Sequence, residues 1–207
     1  KASISELERS MGLGLKGAMI GDNVNGKTFD EREFLPFWKA AQDLGSVILV
    51  HQGGATVVNH RIDRYHLPNT IGNPADRALT FAALVFGGVM DACPNLKVCL
   101  CHGGGYTCYG IGRMDRGWQV RQEARVNIQQ QPSAYLSKFY YDCLTHSEPA
   151  LRYLIDSVGI DRVVFGTDWP FDMAIDWPVS WLLGMESLTQ DEKEAILHKN
   201  LEQLLGI

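Results

Sequence analysis

The chain has 207 residues, enough for one domain with a sizeable core, and its 45% hydrophobic and 21% charged content is that of an ordinary globular protein. With 19 basic against 24 acidic side chains the formal net charge is -5, which argues against the clustered basic footprint of a nucleic-acid binder. No apolar run approaches the roughly 18 residues that a membrane-spanning helix needs, and the amphipathic first residues do not pattern as a signal peptide.

Ser5 to Met11 reads as the end of a helix stopped by Gly12, followed by a short strand over Gly17-Ala18-Met19-Ile20. Asp30 and Glu33 form a variant of the capping box, predicting a helix whose stripe is Phe34, Phe37, Trp38, Ala41 and Leu44. Gly45 ends it, and Val47-Ile48-Leu49-Val50 is a strand running into His51. Residues 52–73 form a long loop holding His60, His66 and Pro68, and loops of that length are usually functional. Asn73 caps a helix started by Pro74 and running to about Met90. The next strand, Val98-Cys99-Leu100-Cys101, runs into His102 and three glycines. Beyond the polar tract 121–131, Phe139 to Leu144 is a further strand, and Ser147-Glu148-Pro149 opens a helix that Gly159 stops. The last strand, Val163-Val164-Phe165, ends in Gly166-Thr167-Asp168-Trp169-Pro170-Phe171, and Thr189 with Glu192 caps a terminal helix.

Strict alternation of helix and strand implies a parallel sheet with right-handed crossovers. No G-x-G-x-x-G follows the first strand, so a dinucleotide fold is disfavoured. Three apolar strands that stop at His51, His102 and Asp168 match a β/α barrel, whose chemistry sits at the carboxyl ends of its strands. A full eight-fold barrel takes about 250 residues. The fold class expected is therefore an α/β TIM barrel, (β/α)8, with residues 1–207 forming one domain of five β/α units and the first three or so units absent from this chain. Two imidazoles and a carboxylate are the donors preferred by a catalytic divalent ion. Five cysteines without a C-x-x-C pair, three of them in apolar strands, read as reduced buried thiols of a cytoplasmic protein.

Val50-His51, Leu96 to Cys99 with Cys101-His102-Gly103-Gly104-Gly105, Gly112-Arg113, and Gly166 to Phe171 resemble the amidohydrolase-related metal-dependent decarboxylases, from the first helix to Ile207. That resemblance implies a barrel with one divalent ion, Zn2+ first and Mn2+ second. It implies His51 and Asp168 as metal ligands, with His102 as the catalytic histidine beside the metal-bound water and Asp168 sharing in catalysis. The H-x-H or E-x-H ligand pair of the family's first strand is not in this sequence. In dimeric members an arginine at the place of Arg113 reaches the neighbouring subunit's site, so a homodimer is expected. His66 stands where the family often carries a pocket aromatic, and Phe171 is expected to line the substrate site.

The reaction implied is non-oxidative decarboxylation of a small unsaturated or aromatic carboxylic acid. A hydrolase opening a lactone or amide on the same scaffold is the second reading. A non-catalytic fragment is the third, motivated by the absent first strands. His60 and His146 read as ordinary loop histidines, and His198 as a helix-end residue.

Overall fold

Five apolar stretches pair side by side into one parallel sheet. A computed structural model of the chain describes residues 1–53, 56–57 and 61–207. In chain order its main elements are α1 (Ala2–Gly12), β1 (Gly17–Ile20), α2 (Leu35–Asp43), β2 (Val47–Val50), α3 (Asn73–Phe86), α4 (Val89–Ala92) and β3 (Lys97–Leu100). Then follow α5 (Thr107–Val120), β4 (Tyr140–Asp142), α6 (Glu148–Val158), β5 (Val163–Val164), α7 (Pro178–Leu183), α8 (Gln190–Glu194) and α9 (Asn200–Leu205).

The strands lie in the order β1-β2-β3-β4-β5, each parallel to the next. A doubly wound sheet would reverse direction at a switch point. Here every crossover advances one strand the same way, which is the winding of a β/α barrel.

Period-two alternation divides each strand between two apolar environments. Ile48, Val50, Val98, Leu100, Tyr141 and Val163 face the helices, joining Trp38, Phe81, Leu84 and Leu151 in the main core. Val47, Cys99 and Val164 face the other way, where Leu201, Leu204 and Leu205 of α9 pack against them. Lys97 Nζ donates to Leu204 O at 3.0 Å and ties α9 to that inner face.

Local departures from the sequence reading have physical reasons. The Asp30/Glu33 capping box does not form: α2 begins at Leu35 with Pro36 in its first turn, while Glu33 pairs with Lys27. Asn73 lies within a helical run rather than capping one, because a π-turn over Pro68–Gly72 feeds directly into α3. That helix stops at Phe86, since Gly88 adopts φ 75° and restarts the chain as α4. Thr189 and Glu192 do form the reciprocal box. The strand before Asp168 is only two residues long, and α7 was not foreseen.

Candidate metal centre

Three strand ends converge. The His51 amide still donates to Ile20 O at 2.9 Å, so the residue remains in the ladder, on the inner face set by Val47 and Leu49. Beyond it Gly53 packs against Gly21, where an added Cβ would lie 3.0 Å from Gly21 Cα. After β3 the chain turns sharply: His102, Gly103, Gly104 and Gly105 have φ of 58°, 59°, 70° and 58°. Asp168 follows β5 at φ 60°. Left-handed backbone at two non-glycine residues costs about 1–3 kcal/mol each and tends to persist where the surroundings fix a functional geometry.

The result is a compact set of donors. His51 Nε2 lies 3.1 Å and His102 Nε2 3.6 Å from the same oxygen, Asp168 Oδ1. The two imidazole rings stand 5.2 Å apart, edge to face. The ligand atoms of all three residues fall within 4.8 Å of one another. Donors bound to one ion at about 2.0–2.2 Å sit roughly 3 Å apart, so the His51–Asp168 spacing suits a shared divalent cation. The side chains of His51, His102 and Asp168 are 13%, 15% and 4% exposed. Burial lowers the His102 pKa, against the opposing pull of Asp142 and Asp168, so its imidazole is neutral at pH 7.

Two cavities meet at Asp168. One of about 650 Å3 runs along the inner face and is lined by His51, Cys101, Asp142 and Phe171. The other, about 880 Å3, opens beside His102 and is walled by Tyr106, Tyr109, Thr145, His146, Tyr153 and Met173. Phe171 stacks on His51 at 5.7 Å with an interplanar angle of 20°. His66 is exposed at φ 58° and lines neither cavity, and Arg113 is exposed on α5. His146, in the loop between β4 and α6, borders the larger cavity, and His60 lies outside the described residues. The room left by the glycine triplet is taken by protein: added Cβ atoms would meet Thr145, Tyr141 and the Pro74 backbone.

The sequence reading missed three charged residues beneath this centre. Arg77 of α3 is fully buried, pairs with Asp22, and donates from Nη1 to Val50 O at 3.0 Å, just before His51. Burial lowers its pKa to about 10, which leaves it charged at neutral pH. Asp142 ends β4, and its Oδ1 accepts from the Gly103 amide at 2.8 Å and the Leu144 amide at 3.1 Å. Burial raises the Asp142 pKa, opposed by His102 and by these amides. Asp22 carries the signal already used at His51, an apolar strand stopping near a polar residue, and Asp142 is a lone carboxylate inside an apolar run. A buried arginine on a helix has no such signature.

A parallel sheet wound in one direction, with imidazole and carboxylate donors at its strand ends, is the arrangement of a β/α barrel carrying a candidate metal site. The chain belongs to the amidohydrolase family, which it matches over residues 1–207. It is 35% identical to 2-amino-3-carboxymuconate-6-semialdehyde decarboxylase of Dictyostelium discoideum, covering 100% of this chain and 58% of that protein. Its fold matches a dihydroxybenzoic acid decarboxylase from Polaromonas sp., solved with bound manganese and the inhibitor 2-nitroresorcinol, with TM-score 0.86 at 24% identity. That match covers 98% of this chain and 64% of the other. A 2,6-dihydroxybenzoate decarboxylase complexed with 2,6-dihydroxybenzoate gives TM-score 0.87 at 24% identity, covering 99% of this chain and 66% of the other. The chain thus spans about three fifths of its curated relative's length. Among the described residues no helix is long and apolar enough to cross a membrane.

Proposed function

We propose that the protein is a metal-dependent, non-oxidative carboxy-lyase acting on a small unsaturated or aromatic carboxylic acid. The observation that carries this reading is the convergence of His51 and His102 on Asp168 Oδ1 from three strand ends. The names of the three relatives support it, since those three are decarboxylases.

His51 and Asp168 would hold the divalent ion. Zn2+ is the first ion to test for an imidazole–carboxylate donor set, and Mn2+, found in the Polaromonas structure, is the second. When bound, the ion supplies a fixed positive charge that polarises a substrate oxygen and makes water more acidic. His102, half-buried and with its pKa lowered by burial, would take a proton at Nε2 from a water molecule in the site and pass it to the carbon bearing the carboxylate. The hydroxide left behind is reprotonated from solvent. Protonation there breaks conjugation. The C–C bond to the carboxylate then breaks, its electron pair restores the conjugated system, and CO2 leaves. Phe171, flat against His51, forms an apolar wall for a planar substrate. Arg113, exposed on α5, is assigned to binding a substrate carboxylate in the site of a second copy, within a homodimer. Five free, buried cysteines support a reducing, cytoplasmic setting.

The test is product analysis. Protein stripped with a chelator and reloaded with metal is expected to release CO2 from a conjugated acid. His102→Ala is expected to lower kcat by about 10²–10⁴-fold. Equal turnover in chelator would overturn the reading. Addition of water to a lactone or amide without CO2 release would move the protein to the hydrolase reading.

A further inference from the structure

Asp142 touches both loops that carry the catalytic centre. It ends β4, between β3, which leads to His102, and β5, which leads to Asp168. On one side its Oδ1 accepts from the Gly103 amide at 2.8 Å, and the His102 amide also points at this carboxylate. The same oxygen accepts from Leu144, which anchors the carboxylate to its own strand end. On the other side it abuts Gly166, where an added Cβ would lie 2.8 Å from Asp142 Cβ and 3.2 Å from Oδ2. The side chain is buried, and it lines the inner cavity together with His51 and Asp168.

These contacts bear on one awkward feature, the left-handed backbone of His102. A non-glycine residue at φ 58° is held there only if its neighbours leave no easier conformation. The peptide between His102 and Gly103 is the unit whose rotation sets the imidazole, and its N–H is the one that Asp142 receives. The acceptor is a carboxyl oxygen away from water, where a hydrogen bond is stronger than at the surface. We propose that Asp142 is a positioning residue: its carboxylate clamps the His102–Gly103 peptide and so aims His102 Nε2 at Asp168, while its wedge against Gly166 sets the spacing between the two loops. It acts through His102 and does not itself touch substrate. The proposal rests on the decarboxylase reading only for its kinetic readout.

The test compares Asp142→Ala and Asp142→Asn in the metal-loaded protein. The asparagine carbonyl still accepts from Gly103 and Leu144, whereas alanine removes the acceptor. Expected for alanine is a loss of kcat of about 10²-fold, with KM within about 3-fold of wild type and the bound metal unchanged. Expected for asparagine is recovery to within about 10-fold of wild type. Hydrogen exchange at the Gly103 amide supplies an activity-independent readout, protected in wild type and Asp142→Asn and unprotected in Asp142→Ala. Wild-type kcat in Asp142→Ala, or unchanged Gly103 protection there, would overturn the proposal. So would an asparagine variant that folds and binds metal yet is as slow as alanine. Should the wild-type protein release no CO2 from any acid tried, the decarboxylase reading fails, and the exchange data still decide the role of Asp142.

Discussion

Cys108 borders the cavity beside His102 and Cys101 the one beside His51, but burial raises both thiols and keeps them protonated at neutral pH. All five cysteines are free and buried. Burial pushes the Cys108 thiol up to about 11 and Cys143 to about 12, from 9.0. Between pH 9 and those values the native state keeps protons that the unfolded chain has released. The stability tied to these neutral thiols is therefore complete below pH 9 and is lost as pH rises toward 11 and 12. Thermal melts are expected to drop more steeply above pH 9, and iodoacetamide is expected to label Cys108 and Cys143 only in step with unfolding. Labelling of the native protein at pH 8 at the rate of a free thiol would contradict this. At this scale the sequence was legible where a polar residue interrupts an apolar strand. That rule found His51, His102 and Asp168, and Asp142, set inside the apolar run Phe139 to Leu144, became a strand end only in the fold. The same rule could not find Arg77, whose burial depends on Asp22 and Val50, residues far away in sequence that only folding brings to it.

The elements were legible from their punctuation, less so in their lengths. β1 and β2 fall where apolar runs meet glycine, and α6 begins at Ser147, whose hydroxyl accepts from the Ala150 amide. The capping pattern at Asp30 misled because Pro36 and the Lys27–Glu33 pair offered a competing local arrangement. The glycine triplet after His102 serves the close packing of elements. Gly105, at φ 58°, lets the loop after β3 cross the start of α3, with an added Cβ only 2.2 Å from Pro74 O. Because the obstacle is backbone rather than a flexible side chain, Gly105→Ala combines a clash with left-handed strain. A loss of about 2 kcal/mol or more in unfolding free energy is expected by urea titration. An unchanged midpoint would show that α3 can retreat at no cost.

For the whole molecule, the winding direction was legible, and with it the gathering of three strand ends around one ion; the distances were not. Alternating helix and strand gave a parallel sheet, and strand-end chemistry favoured a barrel over a doubly wound fold. The sequential order of β1 to β5 and the structural relatives agree with that choice. What no pattern in the sequence states is how closely residues 51, 102 and 168 approach, since that depends on sheet curvature and on loops held by Asp142, Gly166 and Arg77. The two faces of the sheet divide the work: one packs against the helices and supplies the main core, while the other, closed at one end by α9, carries the donors at its opposite end. The central claim is that these donors form a single cation site. Anomalous diffraction from crystals soaked in Mn2+ tests it most directly. One peak about 2.0–2.3 Å from both His51 Nε2 and Asp168 Oδ1 is expected, absent from crystals of His51→Ala. No peak there in the wild-type protein, or a peak that survives the substitution, would contradict the account.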